Sequence, residues 1–149
     1  MPILNDPHMK DVFGTAILDY QQGNYTEDLV TSTSISEEDT LPLPYLFRDF
    51  SEMPSLEQTA LTLAKGSVLD VGCGAGSHSL YLKSKGLNVK SIDISEGAIK
   101  TCQLRGLEQA QVLNIMDETQ TFDTLLLLMN GSGVFQSLAH TPFVLSHLK

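Results

Sequence analysis

Tryptophan is absent, cysteine occurs only at Cys73 and Cys102, and the nine lysines and arginines face eighteen acidic side chains, for a formal charge of -9. Each scarcity excludes something. An excess of acid repels phosphate backbones, so no nucleic-acid partner is expected. Two cysteines without CxxC or Cys/His ligand spacing give neither a disulfide framework nor a metal site, and suit a reducing cytoplasm. No apolar run approaches the roughly 18 residues of a membrane span, and MPILNDPHMK lacks the order of a secretory signal, so no membrane association is expected.

What is present is enough apolar sequence for one core, organised in two styles. From Met9 to Tyr20, apolar residues at Met9, Val12, Phe13, Ala16, Ile17 and Tyr20 follow the period of an amphipathic helix. The stretch Glu27 to Thr40 is polar, acidic and turn-forming, which predicts a loop. LPLPYLF then delivers Tyr45, Leu46, Phe47 and Phe50 as an apolar patch. A helix should follow Pro54, with Ser55 and Gln58 at capping-box spacing, an apolar face of Leu56, Ala60, Leu63 and Ala64, and Gly66 at its end. Residues 1–54 are thus expected to form a helical cap, and residues 55–149 the main domain.

After Gly66 the runs SVLDV, NVKSIDI, AQVLNIM and FDTLLLLM alternate with stretches of helical length. Strand alternating with helix predicts an α/β fold, with right-handed crossovers stacking parallel strands in one sheet. The intervening helices are expected over Ser77 to Lys85, with Leu80 and Leu82, and over Ser95 to Leu104, with Ala98, Ile99 and Leu104 on one side. The unbroken apolar LLLLM predicts a strand covered on both faces, at the sheet centre.

The chemistry is concentrated in VLDVGCGAGSHSLYL, Val68 to Leu82, where Gly72, Gly74 and Gly76 stand between a strand and a helix. Such a turn lets backbone N–H groups approach a ligand, and the helix N-terminus favours an anion. Asp70, at the strand tip, either orders the loop or accepts from the amine of an amino-acid-like ligand. Ser77 stands where a nicotinamide-binding GxGxxG would place its last glycine, which counts against that cofactor. Asp93, at the end of the next strand, either binds ribose hydroxyls or caps the helix beginning near Ser95.

These segments resemble motifs I and II of the class I S-adenosylmethionine-dependent methyltransferases. The resemblance covers about Gly66 to Lys149 and implies a Rossmann-like sheet and S-adenosylmethionine as cofactor. It implies that Asp70, Gly72, Gly74 and Gly76, with Cys73 as the small residue between them, line the methionine part, that Asp93 holds the ribose and that Ile94 borders the adenine. Asp117 matches a position whose acid accepts from the adenine amino group. Met129, Asn130 and Gly131, after the fourth strand, match the tip that faces sulfonium and acceptor, although Asn130 could equally close a turn with Gly131. No Asn/Asp-Pro-Pro-Tyr sequence stands there, which favours a small-molecule methyl acceptor over a nucleobase.

Methyl transfer demands no fixed catalytic residue, and His8, His78, His140 and His147 are each isolated in sequence, His78 nearest the glycine loop. Arg48 would pair with Asp49 or Glu52, or reach a ligand carboxylate. Tyr20, Tyr25 and Tyr45 read as packing residues. The resemblance stops after the fourth of the family's seven strands, whose first four lie in the order 3-2-1-4. A truncated methyltransferase fold would therefore leave an apolar edge able to pair two chains as a homodimer. The competing readings are a non-catalytic cofactor-binding or interaction module and, further off, a nicotinamide-dependent oxidoreductase.

Overall fold

The computed structural model describes residues 10–129 and 131–149, so His8 and Asn130 lie outside the described residues. Helix α1 (Val12–Gln21) leads into a hairpin of β1 (Leu29–Thr33) and β2 (Ser36–Leu41). The short α2 (Leu43–Leu46), a 3-10 turn at Phe50–Glu52 and α3 (Ser55–Leu63) follow. From there the chain alternates β3 (Ser67–Val71), α4 (Ser77–Ser84), β4 (Asn88–Asp93), α5 (Glu96–Leu104), β5 (Ala110–Val112), β6 (Thr124–Leu126) and α6 (Thr141–His147).

The sheet is parallel in the order β5-β4-β3-β6, the 3-2-1-4 arrangement expected. β3 is buried because it has strands on both sides, α3 and α4 on one face, and 3-10 turn residues with the end of α6 on the other, with Val68 and Leu69 at 0% and 1% exposure. Val68, Leu82, Leu61 and Leu126 pack on one face, and Leu69, Val71, Ile92 and Ile115 on the other. At about 25 cal/mol per Å² of apolar surface, each such side chain contributes roughly 1.5–3 kcal/mol.

Helix α1 begins where Asp11 accepts the Gly14 N–H at 2.8 Å. The same side chain reaches 84 residues onward. Its Oδ2 accepts from Ser95 Oγ at 2.7 Å and from the Gly97 N–H at 3.0 Å, while Ser95 caps α5 through the Ala98 N–H. One carboxylate thus joins the N-termini of α1 and α5, where both helix dipoles favour negative charge. The two helices meet at Gly14 and Gly97: a Cβ on Gly97 would stand 2.3 Å from the Gly14 carbonyl carbon.

Several expectations need correction. Glu27 to Thr40 is not a loop: β1 and β2 pair antiparallel from Leu29↔Leu41 to Thr33↔Ser36. The hairpin lacks an apolar face, and it is held by Leu29 and Leu41 packing on the Ile17 and Leu43 cluster and by Thr33 and Ser36 bonding at its turn. In α3 the inward residues are Glu57 and Leu61, whereas Leu56 and Leu63 are 77% and 74% exposed. Neither Ser55 nor any other side chain caps α3; the reciprocal box belongs to Asp49 and Glu52 at the 3-10 turn. Leu104 is likewise exposed, since α5 turns Ala98, Ile99 and Cys102 inward. Finally, β6 stands at an edge rather than at the centre: among the described residues it pairs only with β3.

Candidate functional site

β3 ends at Val71, and the chain folds back over its tip. Gly72 and Cys73 both donate their N–H groups to the Ile92 carbonyl, at 2.8 and 3.0 Å. Gly74 and Gly76 have φ of +54° and +82°, a region costly for residues with a Cβ. Gly76 has a second reason to be glycine, because a Cβ there would lie 2.5 Å from Leu107 Cδ1 and 2.9 Å from Cys102 Sγ. The loop is thereby pressed onto α5, and α4 starts directly behind it.

Asp93, the last residue of β4, fixes this loop from the neighbouring strand. Its Oδ2 accepts the Gly74 N–H at 2.9 Å and its Oδ1 the Ser95 N–H at 3.0 Å. A carboxylate offers about four lone-pair sites, so acceptor capacity remains for a ligand's hydroxyl groups. Burial pushes the Asp93 carboxyl above its ordinary range, and the nearby Asp11 carboxylate adds to that push against the N–H bonds. Asp93 therefore does not cap α5, whose cap is Ser95; it holds the loop and the cap residue through the Gly74 and Ser95 N–H groups.

Two cavities meet across Gly72, whose own Cβ position is open. The first, about 160 Å³, is largely apolar and is lined by Asp93, Ile94, Asn114, Ile115, Met116 and Val134 among others. The second, about 190 Å³, is lined by Phe13, Cys73, Gly74 and Ser77 and by Arg48, His78 and Met129. The result is a groove over the glycine loop with an acid at one end and the buried Arg48 and His78 side chains at the other.

At the second end Glu57 Oε2 accepts from Arg48 Nη2 and stands 2.8 Å from His78 Nε2. Arg48 also donates Nη1 to the Tyr45 carbonyl at 2.7 Å and Nη2 towards Met129 Sδ at 3.2 Å, with its guanidinium 4.1 Å from the centre of the Tyr45 ring. Arg48, Glu57 and His78 are 6%, 9% and 8% exposed. Burial alone would raise the Glu57 pKa, but hydrogen bonds and positive charge from His78 and Arg48 hold it below the ordinary carboxylate range. The partner of Arg48 is thus Glu57, not Asp49 or Glu52.

The remaining candidates divide. Asp70 lies beneath the loop at 2% exposure, where it accepts from Ser79 Oγ at 2.6 Å, which itself receives Ser91 Oγ at 2.7 Å. Burial drives its pKa up, and it lines neither cavity. Asp117 ends a 3-10 turn at Ile115–Asp117, exposed, one residue beyond the groove-lining Met116. Met129, at φ +52°, brings its side chain to Arg48. Cys73 sits 3.7 Å from Cys102, sulfur to sulfur, and that contact, followed by burial, pushes its thiol pKa far up. Tyr20 packs on Tyr25 and Phe47. Glu57, Asn114 and Gln136 are groove or network residues that the sequence motifs did not flag.

A parallel β5-β4-β3-β6 sheet with a glycine loop after β3 and an acid at the tip of β4 defines a doubly wound α/β ligand-binding domain. Residues 68–141 match the family described as a methyltransferase domain. A solved S-adenosylmethionine-dependent methyltransferase from Bacteroides fragilis, in complex with S-adenosyl-L-homocysteine, is 41% identical over 96% of this chain and 60% of that one, with a TM-score of 0.88. A ubiquinone biosynthesis O-methyltransferase from Leptothrix cholodnii is 43% identical over 38% of this chain and 24% of its own length. Another, from Xanthomonas oryzae pv. oryzae, is 33% identical over 55% and 35%. The chain belongs to the S-adenosylmethionine-dependent methyltransferase family. It spans 60% of the solved relative and about a quarter to a third of these curated ones.

Proposed function

We propose that the groove over Gly72 binds S-adenosylmethionine and presents its methyl group to a small-molecule acceptor at the end bounded by Arg48, His78 and Met129. The observation that carries this reading is the meeting of the two cavities at Gly72, between the Asp93 acid and the buried Arg48–Glu57–His78 network. The residues fit the group. Gly72, Cys73 and Gly74 offer the close-approach wall, Asp93 has spare acceptor capacity for the ribose, and Ile94 with Ile115 and Met116 supplies an apolar slot for the adenine. Asp117 is assigned to the adenine amino group from the rim. Asp70 and Gly76 act from beneath, by ordering the loop and seating it on α5.

When bound, the cofactor supplies a methyl group on a cationic sulfur. The chain's part is to hold the acceptor in line and to exclude water, so that a two-molecule step proceeds as one within the complex. In this reading residues 1–54 act as a cap, with Phe13 of α1 and Arg48 closing the groove, and residues 55–149 form the cofactor domain. A charge of -9 disfavours nucleic acid as acceptor, and two unpaired buried thiols fit a reducing cytoplasm. No helix among the described residues is long and apolar enough to cross a membrane. The β6 edge is the surface through which two such chains would pair.

Calorimetric titration of S-adenosylmethionine and S-adenosylhomocysteine into the chain tests the reading. Saturable binding by both ligands is expected. A folded, monodisperse chain that binds neither overturns it.

A further inference from the structure

Groove residues bear one arrangement that ligand shape does not explain. His78 lies at the start of α4, directly behind the glycine loop, and is both 8% exposed and part of the cavity wall at the Met129 end. Its Nε2 is held at 2.8 Å by Glu57 Oε2, which is itself fixed by Arg48. A histidine kept in a core for packing alone does not need an ionised carboxylate, and burying that carboxylate is costly unless it is fully paired. With Nε2 carrying its hydrogen to Glu57, the ring's other nitrogen, Nδ1, has its lone pair free; among the described residues no hydrogen bond takes it. This is the logic by which an acid orients an imidazole so that its far nitrogen can accept a proton.

We propose that His78 is the catalytic base of the methyl transfer, receiving at Nδ1 the proton of the acceptor's hydroxyl or amine, and that Glu57 and Arg48 are positioning residues that fix the ring. The proposal rests on the function put forward above. In the step, the acceptor's heteroatom forms a bond to the methyl carbon and the sulfur–carbon bond breaks with its electron pair going to sulfur. The acceptor's proton moves to Nδ1 and leaves to solvent when the product departs. The imidazolium formed is stabilised by the Glu57 carboxylate. No further reactant is needed.

The charged groups facing the ring are Glu57 from α3, Arg48 from the segment before the 3-10 turn, and Asp70 from the tip of β3, whose own pKa feels the His78 charge. The two cofactor forms differ in charge at one atom, which makes a clean test available. S-adenosylmethionine carries a positive sulfonium and S-adenosylhomocysteine a neutral sulfur. A base poised at the reacting centre must titrate at lower pH in the first complex than in the second, because like charges disfavour its protonation.

The experiment is a proton NMR titration of the histidine ring signals of the chain, free and saturated with each ligand, His78 being assigned from the signal lost in His78→Gln. A second variant, Glu57→Gln, covers the case in which that substitution fails to fold. It keeps His78, whose signal is then the one that loss of the neighbouring Glu57 charge moves. The expected result is a His78 midpoint lower with S-adenosylmethionine than with S-adenosylhomocysteine by at least about half a pH unit, while His140 and His147 titrate alike in both. Coincident midpoints place the ring away from the reacting centre and overturn the proposal. Absence of binding by either ligand is read separately by calorimetry, and it removes the functional reading together with this proposal.

Discussion

Asp93 Oδ2 and the Gly74 amide nitrogen lie 2.9 Å apart, so the acid that ends β4 is also the clasp of the glycine loop that follows β3. The two residues are 19 apart in sequence, one in the loop after β3 and the other at the end of the neighbouring strand β4. Any ligand that uses Asp93 therefore meets a group already committed to shaping the opposite wall.

Asp93→Ala should cost more than one ligand contact. It frees the Gly74 and Ser95 N–H groups as well as removing the hydroxyl acceptor, and each charged hydrogen bond is worth roughly 1.5–3 kcal/mol. Affinity for S-adenosylhomocysteine should fall by about tenfold or more, with Asp93→Asn intermediate. Calorimetry checks this, and equal affinity in all three proteins would remove Asp93 from the site.

Gly97→Ala should destabilise the fold by about 1–3 kcal/mol, since a Cβ there would meet the backbone of Gly14 at 2.3 Å and force α1 away from α5. Alanine normally favours a helix over glycine, so propensity alone predicts the opposite sign. Urea denaturation of the two proteins decides between packing and propensity.

Ser79→Ala leaves the buried Asp70 carboxyl without the hydroxyl that bonds it at 2.6 Å, and leaves Ser91 Oγ without its acceptor. A loss of about 1–3 kcal/mol is expected. Burial pushes the Asp70 pKa up and the Ser79 hydroxyl pulls against it, so the hydroxyl stabilises the ionised carboxyl and the cost of its loss should shrink as pH falls through the raised folded pKa. Denaturation at two pH values measures the difference.

Acid should loosen the N-terminal helix. Burial tends to raise the Asp11 pKa, but its bonds from Gly97, Ser95 and Gly14 outweigh that and leave it lowered. A carboxyl with a lowered folded pKa contributes stability that is present above its unfolded value and is lost as pH falls through the folded one. Glu57 follows the same sign. Stability should therefore decline below about pH 4, and Asp11→Asn should be less stable at neutral pH yet show a shallower acid decline. Circular dichroism melts across that range test it.

Much of the sheet could be read from the sequence because its signals are local. The strands are short runs between stretches of helical length, and the turn after β3 carries glycine at alternate positions, Gly72, Gly74 and Gly76. Asp93 was legible for the same reason, as an acid at a strand tip. The hairpin was not, because its residues are exposed on both faces and its anchors, Leu29 and Leu41, meet only at its open end. Helix α3 misled in the opposite direction: Leu56 and Leu63 look like a core face, but Glu57 points inward to meet Arg48 and His78, nine and twenty-one residues away. No periodicity encodes a pairing between residues on three separate elements. Gly14 and Gly97 left a trace, glycine inside helical sequence, whose meaning depends on a crossing that only the fold supplies.

The Asp11 bridge also orders events in time. On a growing chain α1 is complete long before Ser95 and Gly97 have been made, and contacts this distant in sequence are slow to close. Until then α1 holds only to the Leu43 and Leu46 cluster, and Phe13, whose Cζ stands 3.6 Å from where a Cβ on Gly74 would be, leaves that face of the loop bare. Helix α1 thus leaves the ribosome before α5 and completes its docking after it, and the groove gains its roof only once α5 exists.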